Sequence, residues 1–264
     1  MNEADSIALT EAHGGDSNLF PGVPMSPIHI GLSGYSYKPW QGPGRFYPET
    51  LRPTEFLRHY ASRFNTVELD GIWYRLPTEQ MVRGWLEQTP STFVFAPKAH
   101  RQITHMHRLR PDALAFVQLM LDRLAPIVEQ KRLGPVLLQL PPNFRLDIDR
   151  LKTFLEQIPR TVRWAIEFRH ESWHVPEVET LLTNHGISWV AADTDDSPAH
   201  IRDTADFWYV RLRRSEYHDT VLTEWATRFN DMARRGKDCY VYCKHEDEGS
   251  PWIWADRLIE LADQ

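Results

Sequence analysis

From Ile28 onward, short runs rich in β-branched and aromatic residues alternate with longer segments of helical period. The runs occupy residues 29–34, 66–70, 93–98, 136–140, 163–169, 187–193, 207–213 and 239–244 and predict eight strands. Between them lie apolar stripes. Phe56, Leu57, Tyr60, Ala61 and Phe64 follow Pro53, a residue suited to a first helical turn. Met81, Val82, Trp85 and Leu86 follow Thr78, a plausible N-cap. Leu114, Val117, Leu121 and Leu124 form a stripe that Pro126 should kink or end. Further stripes carry Leu151, Phe154 and Leu155, then Leu222, Trp225 and Phe229, then Trp254, Leu258 and Leu261. Residues 194–205 are too short for more than a turn or two of helix.

Repeated strand–helix alternation predicts an α/β protein, a single closed (β/α)8 TIM barrel over residues 28–264. A doubly wound open sheet is the rival, but Gly31-Leu32-Ser33-Gly34 lacks the dinucleotide fingerprint. Residues 1–27 carry four acidic residues, a Gly14-Gly15 pair and three prolines, and read as a disordered tail without the apolar core of a signal peptide. No apolar run reaches the roughly 18 residues of a membrane span. Cys239 and Cys243 lie four apart in one predicted strand, about 13 Å, too far for a disulfide. A reducing, cytoplasmic setting is expected. The net charge of −6 argues against a broadly basic nucleic-acid coat, though not against a local basic cleft.

Side chains alternate across a strand. In a barrel, the interior residue nearest the C-terminal rim carries the chemistry. Taking the apolar parity as outward, the inward rim reads Ser33, Glu68, Lys98, Gln139, Glu167, Asp193, Arg211 and Lys244. Beneath it lie Gly31, Thr66, Ala96, Leu137, Ala165, Ala191, Tyr209 and Tyr242. Asp70, Arg169 and Arg213 stand one step higher. Three carboxylates and three cations at inward positions point to a ligand-binding rim, because unpaired buried charge is costly.

The cations favour a small anionic substrate, gripped by Lys98, Arg169, Arg211, Arg213 and Lys244, with Gln139 as a polar partner. Glu167 is the leading general acid or base, with Glu68 or Asp193 as its partner and His170 as a proton-transfer candidate. Tyr35 and Trp40, in an aromatic first loop, are candidates for stacking, and His245 for proton transfer or binding. Lys98, His100, Arg101, His105, His107 and Arg108 suggest a basic lip more than a zinc site. No organic cofactor is implied, and a divalent metal on Glu167 and Asp193 is a lesser alternative. A Schiff base on Lys98 or Lys244, and glycoside hydrolysis by paired carboxylates, stay open. So do two other classes: a nucleic-acid-binding or processing protein, and a non-catalytic ligand-binding barrel.

Several ordered motifs carry a resemblance. They are Ser33-Gly34-Tyr35-Ser36-Tyr37, Phe46-Tyr47-Pro48, Thr66-Val67-Glu68, Trp73-Tyr74-Arg75-Leu76-Pro77, Gly134-Pro135-Val136-Leu137-Leu138-Gln139-Leu140-Pro141-Pro142, Glu167-Phe168-Arg169-His170 and Tyr209-Val210-Arg211-Leu212. Together they resemble the YecE-like family of bacterial TIM-barrel domains of unknown function, from about Ile28 to near the C-terminus. The resemblance implies the fold and supplies no reaction. Asp70, Arg213-Arg214 and Lys244-His245-Glu246-Asp247 depart from the pattern of many members, and imply a more charged mouth.

Overall fold

The computed structural model describes residues 27–244 and 249–262; the expected tail apart from Pro27, and His245, lie outside them. Nine parallel strands are found among these residues: β1 (Ile28–Ser33), β2 (Thr66–Leu69), β3 (Val94–Pro97), β4 (Val136–Gln139), β5 (Trp164–Glu167), β6 (Ser188–Trp189), β7 (Ala191–Asp193), β8 (Phe207–Leu212) and β9 (Asp238–Cys243). They form two sheets. One has six strands in the order β3-β2-β1-β9-β8-β7, and the other has three in the order β4-β5-β6.

This corrects the expected single closed eight-stranded barrel, because the strand ladder is interrupted at two places. β3 ends on Pro97, which has no N–H to donate, and only the isolated bridges Phe95↔Leu133 and Lys98↔Leu137 continue toward β4. The expected sixth strand is divided at Val190. Its first half pairs with β5 and its second with β8.

The helices are α1 (Phe56–Ala61), α2 (Glu79–Gln88), α3 (Ala113–Arg123), α4 (Ala125–Glu129), α5 (Ile148–Gln157), α6 (Pro176–His185), α7 (Asp219–Arg234) and α8 (Pro251–Ala262). Thr78 caps α2 as expected, its hydroxyl accepting from the Met81 N–H at 3.3 Å. Leu124 separates α3 from α4 just before Pro126, where a break was expected. α6 was not anticipated. Its apolar residues Val178 and Leu182 are few, but Pro176 at its start and left-handed Gly186 (φ 64°) at its end are ordinary helix boundaries.

Burial separates two apolar regions. The larger packs the helices onto the outer strand faces. The smaller collects Ala96, Leu137, Ala165, Tyr209 and Tyr242, drawn from both sheets. These five were expected as an inner layer; Ala191 was too, but belongs to the outer region.

The β1–β2 junction is close-packed around Tyr60. Its buried hydroxyl accepts from the Leu32 N–H at 2.7 Å and donates to the Thr66 carbonyl at 2.9 Å. A Cβ on Gly31 would lie 2.1 Å from that carbonyl oxygen, so only glycine fits there. Tyr60→Phe should cost about 1–3 kcal/mol by leaving buried backbone groups unpaired. Gly31→Ala should cost ~1–3 kcal/mol or more through overpacking. Urea unfolding checks both; wild-type midpoints would contradict this packing.

Candidate functional site

The register of the strands brings one set of polar side chains together. Ser33 on β1 stands beside Glu68 on β2, and Gln139 on β4 beside Glu167 on β5. Arg211, on β8, is fully buried. Its guanidinium donates through Nη2 to Glu68 Oε1 at 2.8 Å and through Nη1 to Glu167 Oε2 at 2.7 Å. Glu68 belongs to the six-stranded sheet and Glu167 to the three-stranded one, so this side chain ties the two sheets together.

Each carboxylate is further satisfied. Glu68 accepts from the Ser33 hydroxyl and from the Tyr209 hydroxyl at 2.8 Å. Glu167 accepts from Gln139 Nε2 at 2.9 Å, and Arg213 Nη1 stands 3.6 Å from its Oε1. Burial alone would raise the Glu167 pKa, but Arg211 and Arg213 outweigh it and, with Gln139, hold it at about 2. Burial works against the Arg211 charge, yet Glu68 and Glu167 push its pKa well above the ordinary arginine value. The charges on Glu167 and Arg211 are therefore fixed at neutral pH.

A second group is centred on Asp70, just beyond β2. Lys98 Nζ donates to Asp70 Oδ1 at 2.8 Å and stands 5.3 Å from the centre of the Trp73 ring. Lys244 Nζ lies 4.0 Å from Asp70 Oδ2, and the Tyr37 hydroxyl donates to the same oxygen at 3.4 Å. Burial opposes ionisation of Asp70, but Lys98 and Lys244 lower its pKa. The Lys244 pKa falls, first through burial; Asp70 opposes this, while Arg211 and Lys98 add to it.

Asp193 does not join either group. In the β7–β8 register Ala192 lies beside Arg211, whereas Asp193 lies beside Leu212 on the outward face. The division at Val190 reverses the expected parity, since a one-residue slip exchanges the two faces. Asp193 instead pairs with Arg214 at 2.8 Å and accepts from the Tyr217 hydroxyl at 3.1 Å. A polar Arg214 and an aromatic Tyr217 just after β8 were the available signals for this anchor.

The other candidates are dispersed. Trp40 is buried against Phe46 and Trp252, at ring distances of 6.1 and 5.7 Å, so it packs the first loop onto the core. The Tyr35 carbonyl accepts from the Tyr47 hydroxyl. Arg169 is exposed. His170 Nδ1 accepts from the Ser172 N–H at 3.1 Å, which places the proton of the neutral ring on Nε2. His100 and His107 stack on Phe116, and His105 lies edge-on to Trp73 at 5.0 Å. The His105 pKa is lowered, first by burial and then by Lys98, Arg169 and Arg108. Among the described residues, no three His, Cys, Asp or Glu side chains are grouped to hold a metal ion.

Two clefts open beyond the C-terminal strand ends. One, of about 730 Å³, lies between the first loop and residues 69–77, with Asp70 and Lys244 among its walls. The other, of about 330 Å³, lies between residues 167–171 and 194–202 and is lined by Glu167, Arg169, His170, His174 and Arg213.

The acid stability of the fold tests the inner cluster. The folded-state pKa of Glu167 lies below its ordinary 4.5. Its contribution is therefore complete above that pH and is lost as pH falls toward 2, on the order of 3 kcal/mol. Glu167→Gln should show a shallower loss of stability across that window than wild type. Urea unfolding at several acidic pH values checks this, and parallel curves would contradict it.

Against known proteins, residues 29–264 match the family model described as "Protein of unknown function DUF72". UPF0759 protein YunF of Bacillus subtilis is 24% identical over 274 residues, covering 89% of this chain and 95% of the relative. UPF0759 protein YecE of Escherichia coli is 32% identical over 161 residues. That match spans 61% of this chain and 55% of the relative. A crystal structure of a DUF72 family protein from Thermotoga maritima superposes with a TM-score of 0.74 at 27% identity, covering 90% of this chain and all of the other. One from Enterococcus faecalis gives 0.71 at 19% identity, with 92% and full coverage, a likeness of fold alone. Sequence and fold converge, and this chain belongs to the DUF72 family, with YecE and YunF among its relatives.

Proposed function

We propose that the protein is an enzyme acting on a small anionic substrate, phosphorylated or carboxylated, held at the C-terminal ends of the strands. The observation that carries this reading is the gathering of cationic side chains at the C-terminal strand ends. Arg213 stands by Glu167, Lys98 and Lys244 stand by Asp70, and the exposed Arg169 lines the cleft beside Glu167. Guanidinium and ammonium donors of this kind suit a phosphate or carboxylate.

In this reading the residues divide their work. Arg211 is buried and holds a carboxylate on each terminal nitrogen, so it shapes the floor rather than gripping the ligand. Arg213, on the wall of the smaller cleft, and Lys244, on the wall of the larger, bind, with buried Lys98 held behind on Asp70. Glu167, ionised down to a pH of about 2, is too weak a base for efficient proton transfer at neutral pH. His170 lines the same cleft as Glu167 and Arg213, and its Nδ1 hydrogen bond leaves the Nε2–H as a donor for the anion. Stabilising negative charge on the bound anion is the chemistry this set supports. The carboxylate pair has no room between its members for a glycosidic bond, because Arg211 occupies that space.

Inorganic phosphate serves as the probe. Calorimetric titration at low salt should detect binding, and Arg213→Met and Lys244→Met should each weaken it by about 1.5–3 kcal/mol. That corresponds to roughly 10- to 100-fold in Kd. The His170 ring nitrogen resonances should move when phosphate is added. No binding, or equal affinity in wild type and both variants, would discard the reading.

A further inference from the structure

We infer that the outer part of the smaller cleft is a second anion subsite, formed by His174, His200 and Arg202, so that the substrate carries two anionic groups on one short molecule. This rests on the anion site proposed above, at Arg213 and His170 in the same cleft, and extends it by naming the rest of the ligand.

The subsite begins with the division of the sixth strand. The slip at Val190 turns Asp193 outward and leaves Val190 and Ala192 on the cleft wall. A carboxylate that would repel an anion is thereby withdrawn from the mouth. The same carboxylate then holds the next loop, because Asp193 Oδ1 accepts from the Ala199 N–H at 3.2 Å. Thr194 and Ser197 close that loop on itself. The Thr194 N–H donates to the Ser197 carbonyl at 3.0 Å, and the Ser197 N–H donates to Thr194 Oγ1 at 3.1 Å. His200 follows directly on this anchored segment.

His174 comes from the turn after β5, which is also fixed. Buried Trp173 donates its Nε1–H to the Phe144 carbonyl at 2.6 Å, and the His174 N–H donates to the Glu171 carbonyl at 2.9 Å. The His174 and His200 rings meet with centres 6.0 Å apart, and His174 stands 5.5 Å from buried Trp189. Arg202 lies over the same indole, its guanidinium carbon 4.0 Å from the ring centre, and pairs with Glu179 at 3.5 Å. Trp189 thus supports both the guanidinium and the imidazole. Side chains held in this way lose little freedom when a ligand arrives.

The chemistry of these donors names the second group. Among the described residues, neither imidazole makes a side-chain hydrogen bond or an ion pair. Burial first, then Arg202 and His200, lower the His174 pKa, so its neighbours oppose its charge. An oxyanion reverses this. It accepts from imidazole and guanidinium N–H groups, and its own charge favours the imidazolium. The ring separation of 6.0 Å is about twice an N–H···O distance of roughly 2.9 Å, so two rings can share one oxygen. The cleft volume of about 330 Å³ lies at the low end of the roughly 300–1,000 Å³ of small-molecule sites, so the two groups stand close together. A diphosphate belongs to this class, as does a phosphate and a carboxylate on a short spacer.

The test compares inorganic phosphate, pyrophosphate, 2-phosphoglycolate and phenyl phosphate by calorimetry on the full chain, in metal-free buffer at low salt. Pyrophosphate or 2-phosphoglycolate should bind about tenfold or more tightly than phosphate, because the second group is delivered at high effective concentration. Phenyl phosphate, which adds bulk without charge, should show no such gain. The double variant His174→Gln/His200→Gln should abolish the gain and leave the phosphate Kd within about twofold of wild type, since the ring contacts of these residues are with Trp189 and each other. Circular dichroism confirms folding. His200→Gln alone, at an exposed position, should cut the gain severalfold and carries the test if the double variant does not fold. If phosphate binds but neither two-anion probe improves on it, if phenyl phosphate gains as much, or if the gain survives the substitutions, the second subsite is refuted and the anion site stands. If the substitutions weaken phosphate as much as the two-anion probes, the histidines belong to the first anion site and the second subsite is likewise refuted. If no probe binds, both readings fall.

Discussion

Arg211 is the constraint on which the rest of the site depends. A guanidinium with no solvent exposure must be paired, and here it is paired to carboxylates from two separate sheets. Arginine suits this role because its planar fork offers two donors in fixed directions. A buried ion pair is a weak source of net stability, since desolvation offsets much of the attraction. Its value here is geometric. It fixes the separation of β2 and β5, and hence the distance between the cleft that each flanks.

The pairing also explains why both carboxylates of the floor accept several hydrogen bonds. Two carboxylates on one guanidinium leave a negative charge in excess, and the surrounding donors answer it. Ser33 and Tyr209 turn their hydroxyls to Glu68, Gln139 turns its amide to Glu167, and Arg213 approaches from above. Such a network is rigid because each member loses a partner if it moves.

Much of this was legible in the sequence, and the misses have specific causes. Alternation along β2, β5 and β8 placed Glu68, Glu167 and Arg211 on inward positions, because each strand is continuous and apolar on its other face. Asp193 was misplaced because Val190 divides its strand, and an apolar valine gives no sign of a ladder changing sheets. The closed barrel failed for the same reason at that junction and because Pro97 cuts the ladder at the other. Strand alternation counts segments but does not register which pairs exchange hydrogen bonds. Trp40 sat in loop text rich in glycine and proline, so its burial against Trp252, far along the chain, was invisible locally.

The central claim is that Arg211 couples two carboxylates across the sheets, and a mutant cycle measures that coupling most directly. Arg211→Met, the Glu68→Gln/Glu167→Gln pair and the triple variant would each be unfolded in urea at neutral pH. Removing the cation or the anions alone should destabilise by roughly 3–5 kcal/mol, because each leaves buried charge unpaired. The triple variant, with all three charges gone, should recover a large part of that loss. Losses that simply add would show that the three side chains do not act as one unit, and would contradict the account.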